Sequence, residues 1–162
     1  MFPVEAICND IILRANRESI RITPLKLQKL LYLLYGYYAA ETDSYLFKDA
    51  FEAWEFGPVV RDVYIQFKIF GGANIDRLAV APNNQKIVPD PSKKENKLYR
   101  IVFEKVWNKY KNISANVLVS YTHLKNSPWA LTKLRCEINR ELIKRYFKGE
   151  DISSGQAEQA RA

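Results

Sequence analysis

Apolar residues recur along this chain at helical spacing, and short polar clusters cut the pattern into segments. Val4, Ile7, Cys8, Ile11, Ile12 and Ala15 make one stripe and predict a first helix over residues 3–18. A short extended piece, residues 20–22, leads to TPLKLQKLLYLLYGYYAA at 23–40. Thr23 offers a hydroxyl to the free amides of a helix start. Pro24 stands at the first helical position, where a missing N–H is no loss. Leu27, Leu30, Leu31, Leu34, Tyr37 and Tyr38 then repeat at helical spacing, and Leu33, Tyr35, Ala39 and Ala40 fill much of the opposite side. A helix apolar nearly all round belongs in the middle of a fold.

After a polar break at Glu41–Ser44, Leu46–Phe47 and Phe51–Phe56 flank Lys48-Asp49-Ala50 and predict a small hairpin, ended by Gly57-Pro58. Pro58 is expected to open the next helix, which repeats Val60, Val63, Tyr64 and Phe67 and stops at Gly71-Gly72. Residues 73–92 hold three prolines and no sustained period. They read as a long loop, functional or mobile, with a short strand over 86–88. Ser92 and Glu95 have capping-box spacing ahead of a helix built on Tyr99, Val102, Phe103, Val106 and Tyr110. Ser114 caps SANVLVSYTHL, residues 125–128 form a loop, and Asn139 caps a last helix through Phe147, with Gly149 as its stop. The expected architecture is mainly α (α+β): one compact helical domain, residues 1–149, around a buried central helix with a small antiparallel β-hairpin. Residues 150–162 have almost no apolar content and are expected to be a disordered tail.

Length and composition fit this picture: 162 residues suffice for one core without a staple. The ten tyrosines lie mostly in apolar runs, as core packing requires. The longest uncharged apolar run is shorter than the ~20 residues that cross a bilayer. Cys8 and Cys136 lack metal or redox spacing and read as free thiols of a cytoplasmic protein. Charge changes the picture more. Residues 1–80 carry nine Lys/Arg against ten Asp/Glu, whereas residues 81–162 carry sixteen against eight. Such a basic half suits nucleic acid, an acidic protein or a plain solvated surface.

Candidate chemistry is sparse. One histidine, His123, cannot build a zinc site with two distant cysteines, and no phosphate loop, GxSxG elbow or HExxH is present. Glu52 and Glu55 would fall on opposite faces of a strand. The basic last helix has no helix-turn-helix before it, so nucleic acid is not the expected partner. No catalytic residue, metal or cofactor is expected.

Three clusters exceed what amphipathic packing requires: KLQKLLY at 26–32, AWEFGPV at 53–59 and THLKNSPW at 122–129. Together, in this order and spacing, and with Tyr146-Phe147 in the closing helix, they resemble the Panacea domain of SocA-like antitoxins and phage-associated GepA proteins. The resemblance spans roughly residues 3–148. It implies a mostly helical domain without catalytic activity that binds and neutralises a toxin encoded beside it. Some relatives instead deliver the toxin to the ClpXP protease, and some carry a DNA-binding domain first, for which the short stretch before residue 23 leaves no room.

A binding role directs attention to exposed charge and aromatic rings. Lys26, Lys29 and Tyr32 are expected on one side of the central helix, joined by Trp54, Arg61, His123, Lys125 and Trp129 as a partner-binding surface. Reversing the charge of Lys29 should then weaken neutralisation without unfolding the protein. A nucleic-acid reading predicts steep salt dependence, and a cryptic enzyme centred on His123 predicts loss of function in His123→Ala.

Overall fold

Thr23 starts the central helix as its chemistry requires. In the computed structural model, which describes residues 1–155, the Lys26 N–H donates to the Thr23 hydroxyl at 3.2 Å. Helix α2, Pro24–Thr42, then runs to Asp43, whose left-handed backbone closes it. Helix α1, Val4–Arg17, buries its predicted stripe against α2. The two-stranded antiparallel sheet is β1, Glu52–Trp54, and β2, Gly57–Val59, followed by α3, Arg61–Phe67. Helices α4, Lys97–Tyr110, α5, Ala115–Thr122, and α6, Arg140–Phe147, complete the mainly helical α+β fold. α2 packs against α4, α5 and α6, and also against α1, α3 and β2. Its buried Leu27, Leu30, Leu31, Leu34 and Tyr35 form the middle of the core.

Gly36 lets α6 come close. A methyl group there would overlap the ring of Phe147, which stands edge-on to Tyr32 and Tyr37. Asn139 caps α6, accepting from the Glu141 N–H at 2.8 Å.

Several local expectations are corrected. Leu46 and Phe47 form no strand. Both are buried in irregular chain, and the Leu46 carbonyl takes the Phe2 N–H at 2.8 Å. The hairpin instead pairs Glu52 with Val59, Ala53 with Pro58 and Trp54 with Gly57. Pro58 therefore lies inside β2, and α3 begins at Arg61. β1 is held on its other side: the Ala53 N–H donates to the Cys136 carbonyl at 2.9 Å, and Ile138 donates to Phe51 at 2.7 Å.

Residues 86–88 form no strand, and the long loop is pinned by side-chain amides. Asn9, fully buried, donates to the carbonyls of Ala79 and Ile87 and accepts the Ala79 N–H. Gln66 pairs in the same two-way manner with Val80. The capping box at Ser92 does not form, because the Ser92 hydroxyl donates to Asp90 at 2.7 Å. A 3₁₀ turn, Lys94–Asn96, leads into α4. Within the expected tail Ile152 is buried, and residues 156–162 lie outside the described residues.

Candidate functional site

The three sequence clusters meet at one joint. Gln28 and Lys29 leave α2 toward β2. The Gln28 amide imitates a neighbouring strand, accepting the Val60 N–H at 2.9 Å and donating to the Val60 carbonyl at 3.1 Å. Lys29 has no measurable exposure, and its Nζ donates to the Pro58 carbonyl at 2.7 Å. Gly57, with φ at +105°, makes room for it. A Cβ on Gly57 would stand 2.8 Å from Lys29 Nζ and 2.6 Å from Thr122 Oγ1. Only a residue without a side chain allows that backbone angle and that approach together.

The third cluster closes the joint from α5. Thr122 is buried, and its carbonyl accepts from the Ser127 hydroxyl at 2.9 Å, which folds residues 123–127 back on the helix end. Asn126 takes a left-handed backbone in that turn. Trp129 then donates its indole N–H to the Trp54 carbonyl at 2.7 Å, and its face stacks on His123 at 3.8 Å between ring centres.

Electrostatics at the joint oppose charge. Burial pushes the Lys29 ammonium down to about 7, with no carboxylate among the described residues to offset it. Burial and then the Lys29 charge push the His123 imidazole down, favouring its neutral form, and His123 Nε2 has no hydrogen-bond partner among the described residues.

Lys29, Trp54, His123 and Trp129 thus share one joint, but the exposed lysine face expected on α2 does not form. Lys29 meets neither Glu52 nor Glu55 but a backbone carbonyl. Lys26 is also nearly buried and reaches the Lys111 carbonyl at the end of α4, at 2.5 Å. Tyr32 is buried against Phe51 and Phe147, and its hydroxyl has no partner among the described residues. Lys125 is exposed.

Outside the joint, the hairpin presents a surface. Trp54 is half-buried, edge-on to Tyr64, with Arg135 4.5 Å and Arg61 5.8 Å from its ring centre. Trp54 Nε1 and the Arg61 guanidinium all donate to the Glu52 carboxylate, at 2.7 to 3.0 Å, and Arg61 is the main cause that holds this carboxyl below its usual range. Phe56, at the tip, is 61% exposed. Trp54 and Phe56, with Pro24, Leu25, Tyr64 and Arg135, line a cleft of about 400 Å³. Phe56, Tyr64 and Arg135 are not among the residues expected on the binding surface. Phe56 carried a signal in its place beside Gly57, but Arg135 reaches Trp54 only through the pairing of β1 with residues 135–138.

What this arrangement can do is hold and present. Among the described residues no group of three His, Cys, Asp or Glu is placed to bind a metal ion. Cys8 is buried with its thiol pushed up by that burial, so it is a poor nucleophile. No described helix is long and apolar enough to cross a membrane.

Comparison with known proteins falls on the same segments. The family model described as antitoxin SocA-like, Panacea domain, matches residues 27–130, an interval that opens just before Lys29 and closes just after Trp129. The chain is 32% identical over 127 residues to antitoxin SocA of Caulobacter vibrioides, an alignment covering 76% of this chain and 66% of that protein. The chain therefore spans just under two thirds of that relative's length. No solved structure matches.

Proposed function

The chain belongs to the SocA-like antitoxin, Panacea-domain family, and on that premise we propose that it is an antitoxin that binds and neutralises a cognate toxin by direct protein–protein contact in the cytoplasm, without catalysis. The observation that carries this reading is the hairpin surface. Phe56 and Tyr64 stay open to solvent beside Arg61, Arg135 and the half-buried Trp54, on a hairpin tied from behind by Lys29, Gln28 and Trp129. Aromatic rings and arginines on a preorganised support are the usual anchors of a tight interface. Arg61 and Trp54 contact the partner in this reading, whereas Lys26, Lys29, His123 and Trp129 hold the surface in shape.

Charge pairing favours a protein partner over nucleic acid. Lys105, Lys111, Lys144 and Lys148 of the basic half are matched to Glu41, Glu18, Glu141 and Asp43 rather than left as an open stripe.

Co-expression with the neighbouring gene tests the proposal. That product should be toxic alone and harmless with this chain, the two should co-purify, and Phe56→Glu should abolish rescue while the fold remains. A toxin that is harmless alone, or full rescue by Phe56→Glu, overturns it. Toxin levels measured with and without ClpXP separate blocking from delivery: levels unchanged by the protease support neutralisation by contact alone, and loss of toxin only with the protease overturns that mechanism in favour of an adaptor.

A further inference from the structure

A second cleft, of about 470 Å³, lies where α2, α4, α5 and α6 meet, and it shares no lining residue with the hairpin cleft. Tyr37, Tyr110, Tyr121, Tyr146 and Phe147 form its walls, and among the described residues no Asp or Glu lines it. Tyr32 is part of its lining: this side chain is 2% exposed, and its hydroxyl is without a hydrogen-bond partner among the described residues. A buried hydroxyl left unpaired is a standing cost that an incoming polar atom would remove. Lys109 also lines the cleft, 5.6 and 5.2 Å from the ring centres of Tyr37 and Tyr110, on the exposed side of α4.

α5 and the turn after it leave apolar residues open to solvent beside the cleft. Val117 and Tyr121 share one face of α5, Leu124 follows in the turn after it, all three are exposed, and the last two line the cleft. Exposed apolar residues along one side of a groove are the shape that receives one segment of another chain. The volume admits one or two side chains rather than a folded surface. Aromatic walls select an aromatic anchor, and the unpaired Tyr32 hydroxyl selects one with a polar tip, an indole N–H or a phenol. Lys109 at the cleft, with the exposed Lys125 next to Leu124, selects acidic neighbours.

We propose that this cleft and the exposed apolar residues beside it form a docking site for a partner polypeptide segment carrying a Trp or Tyr anchor flanked by acidic residues. The proposal stands apart from the toxin reading, because its test contains no toxin and its failure leaves that reading untouched.

Selection from a random twelve-residue peptide library on the whole chain, followed by fluorescence anisotropy of the selected peptides, tests it. Enriched peptides should share an aromatic residue beside Asp or Glu. They should bind Phe56→Glu normally, lose about tenfold in affinity with Tyr32→Phe, and lose at least that with Leu124→Glu and Lys109→Glu. Tyr32→Phe should melt no earlier than the parent chain, which separates the loss from unfolding. The proposal is overturned by basic or purely aliphatic consensus peptides, by equal binding to all variants, or by no enrichment. It is equally overturned if sedimentation finds a dimer that Leu124→Glu dissolves, or if a single-stranded oligonucleotide displaces the peptides at lower concentration.

Discussion

Lys29 Nζ and the Pro58 carbonyl face one another at 2.7 Å inside the protein, and that carbonyl is the one hydrogen-bond partner this ammonium has among the described residues. A buried lysine held by a neutral carbonyl pays for its proton. Its value of about 7 lies well below the ~10.4 of a free lysine, so the unfolded chain binds more protons between these limits. Stability from this group is present above the unfolded value and is lost as pH falls toward the folded one. Lys29→Met removes the term. The stability difference between parent and variant should move in the parent's favour by up to ~1.4 kcal/mol per pH unit from about pH 7 upward. Urea unfolding of both proteins at about pH 7 and about pH 9 reads it; parallel curves would show that Lys29 is not the group responsible. Lys29→Glu sets a carboxylate against the same carbonyl and should unfold the protein, contrary to the expectation that it leaves the fold intact.

Gly57 makes that bond reachable, so Gly57→Ala should act on the same joint. The new methyl meets Lys29 and Thr122, and φ at +105° is strained for any L side chain. The strain alone is worth about 1–3 kcal/mol. The steric part comes on top, so a loss of at least ~2 kcal/mol in denaturant unfolding is expected. Gly57→Ala made in a Lys29→Ala background should lose less, because the lysine end is gone. Equal losses in both backgrounds would assign the whole cost to the backbone.

These two residues also mark where reading the sequence stops. Helix α2 was legible from Thr23, Pro24 and an apolar surface that local spacing reveals, and the stripes of α1 and α4 were legible for the same reason. The hairpin was legible as an element but not in its pairing. Leu46, Phe47 and Phe51 are apolar because they enter the core, and their backbone partners are Phe2 and Ile138, distant in sequence. Ser92 had the right spacing for a cap, but Asp90, two residues back, took its hydroxyl. The motif segments of the site were legible, yet the direction of Lys29 was not. A lysine three residues from Lys26 reads as solvated unless one knows that a carbonyl 29 residues away waits for it.

Gly36 gives an independent check on the α2–α6 contact. In a free helix Gly→Ala stabilises by about 1 kcal/mol. Here the methyl would overlap the Phe147 ring, which Tyr32 and Tyr37 hold edge-on from two sides. Overpacking of this kind costs roughly 1–3 kcal/mol, so Gly36→Ala should be neutral to destabilising rather than stabilising. Adding Phe147→Leu should relieve the overlap, so the pair is expected to deviate from additivity in thermal unfolding.

Arg61 separates binding from folding. It is mostly exposed, its two bonds go to Glu52, and both partners lie where water and salt screen them. Arg61→Ala should therefore leave the thermal midpoint nearly unchanged. Its guanidinium also lies against the Trp54 ring beside the exposed Phe56, and a partner that covers this surface would desolvate the Arg61–Glu52 pair. Charge pairs gain strength when water is excluded, so the same change should weaken toxin neutralisation while leaving stability alone. Arg61→Lys keeps the charge but loses the two-bonded fork, and should fall between parent and alanine. Rescue of growth by the three chains at matched expression decides the matter: equal rescue by all three would remove Arg61 from the contact surface.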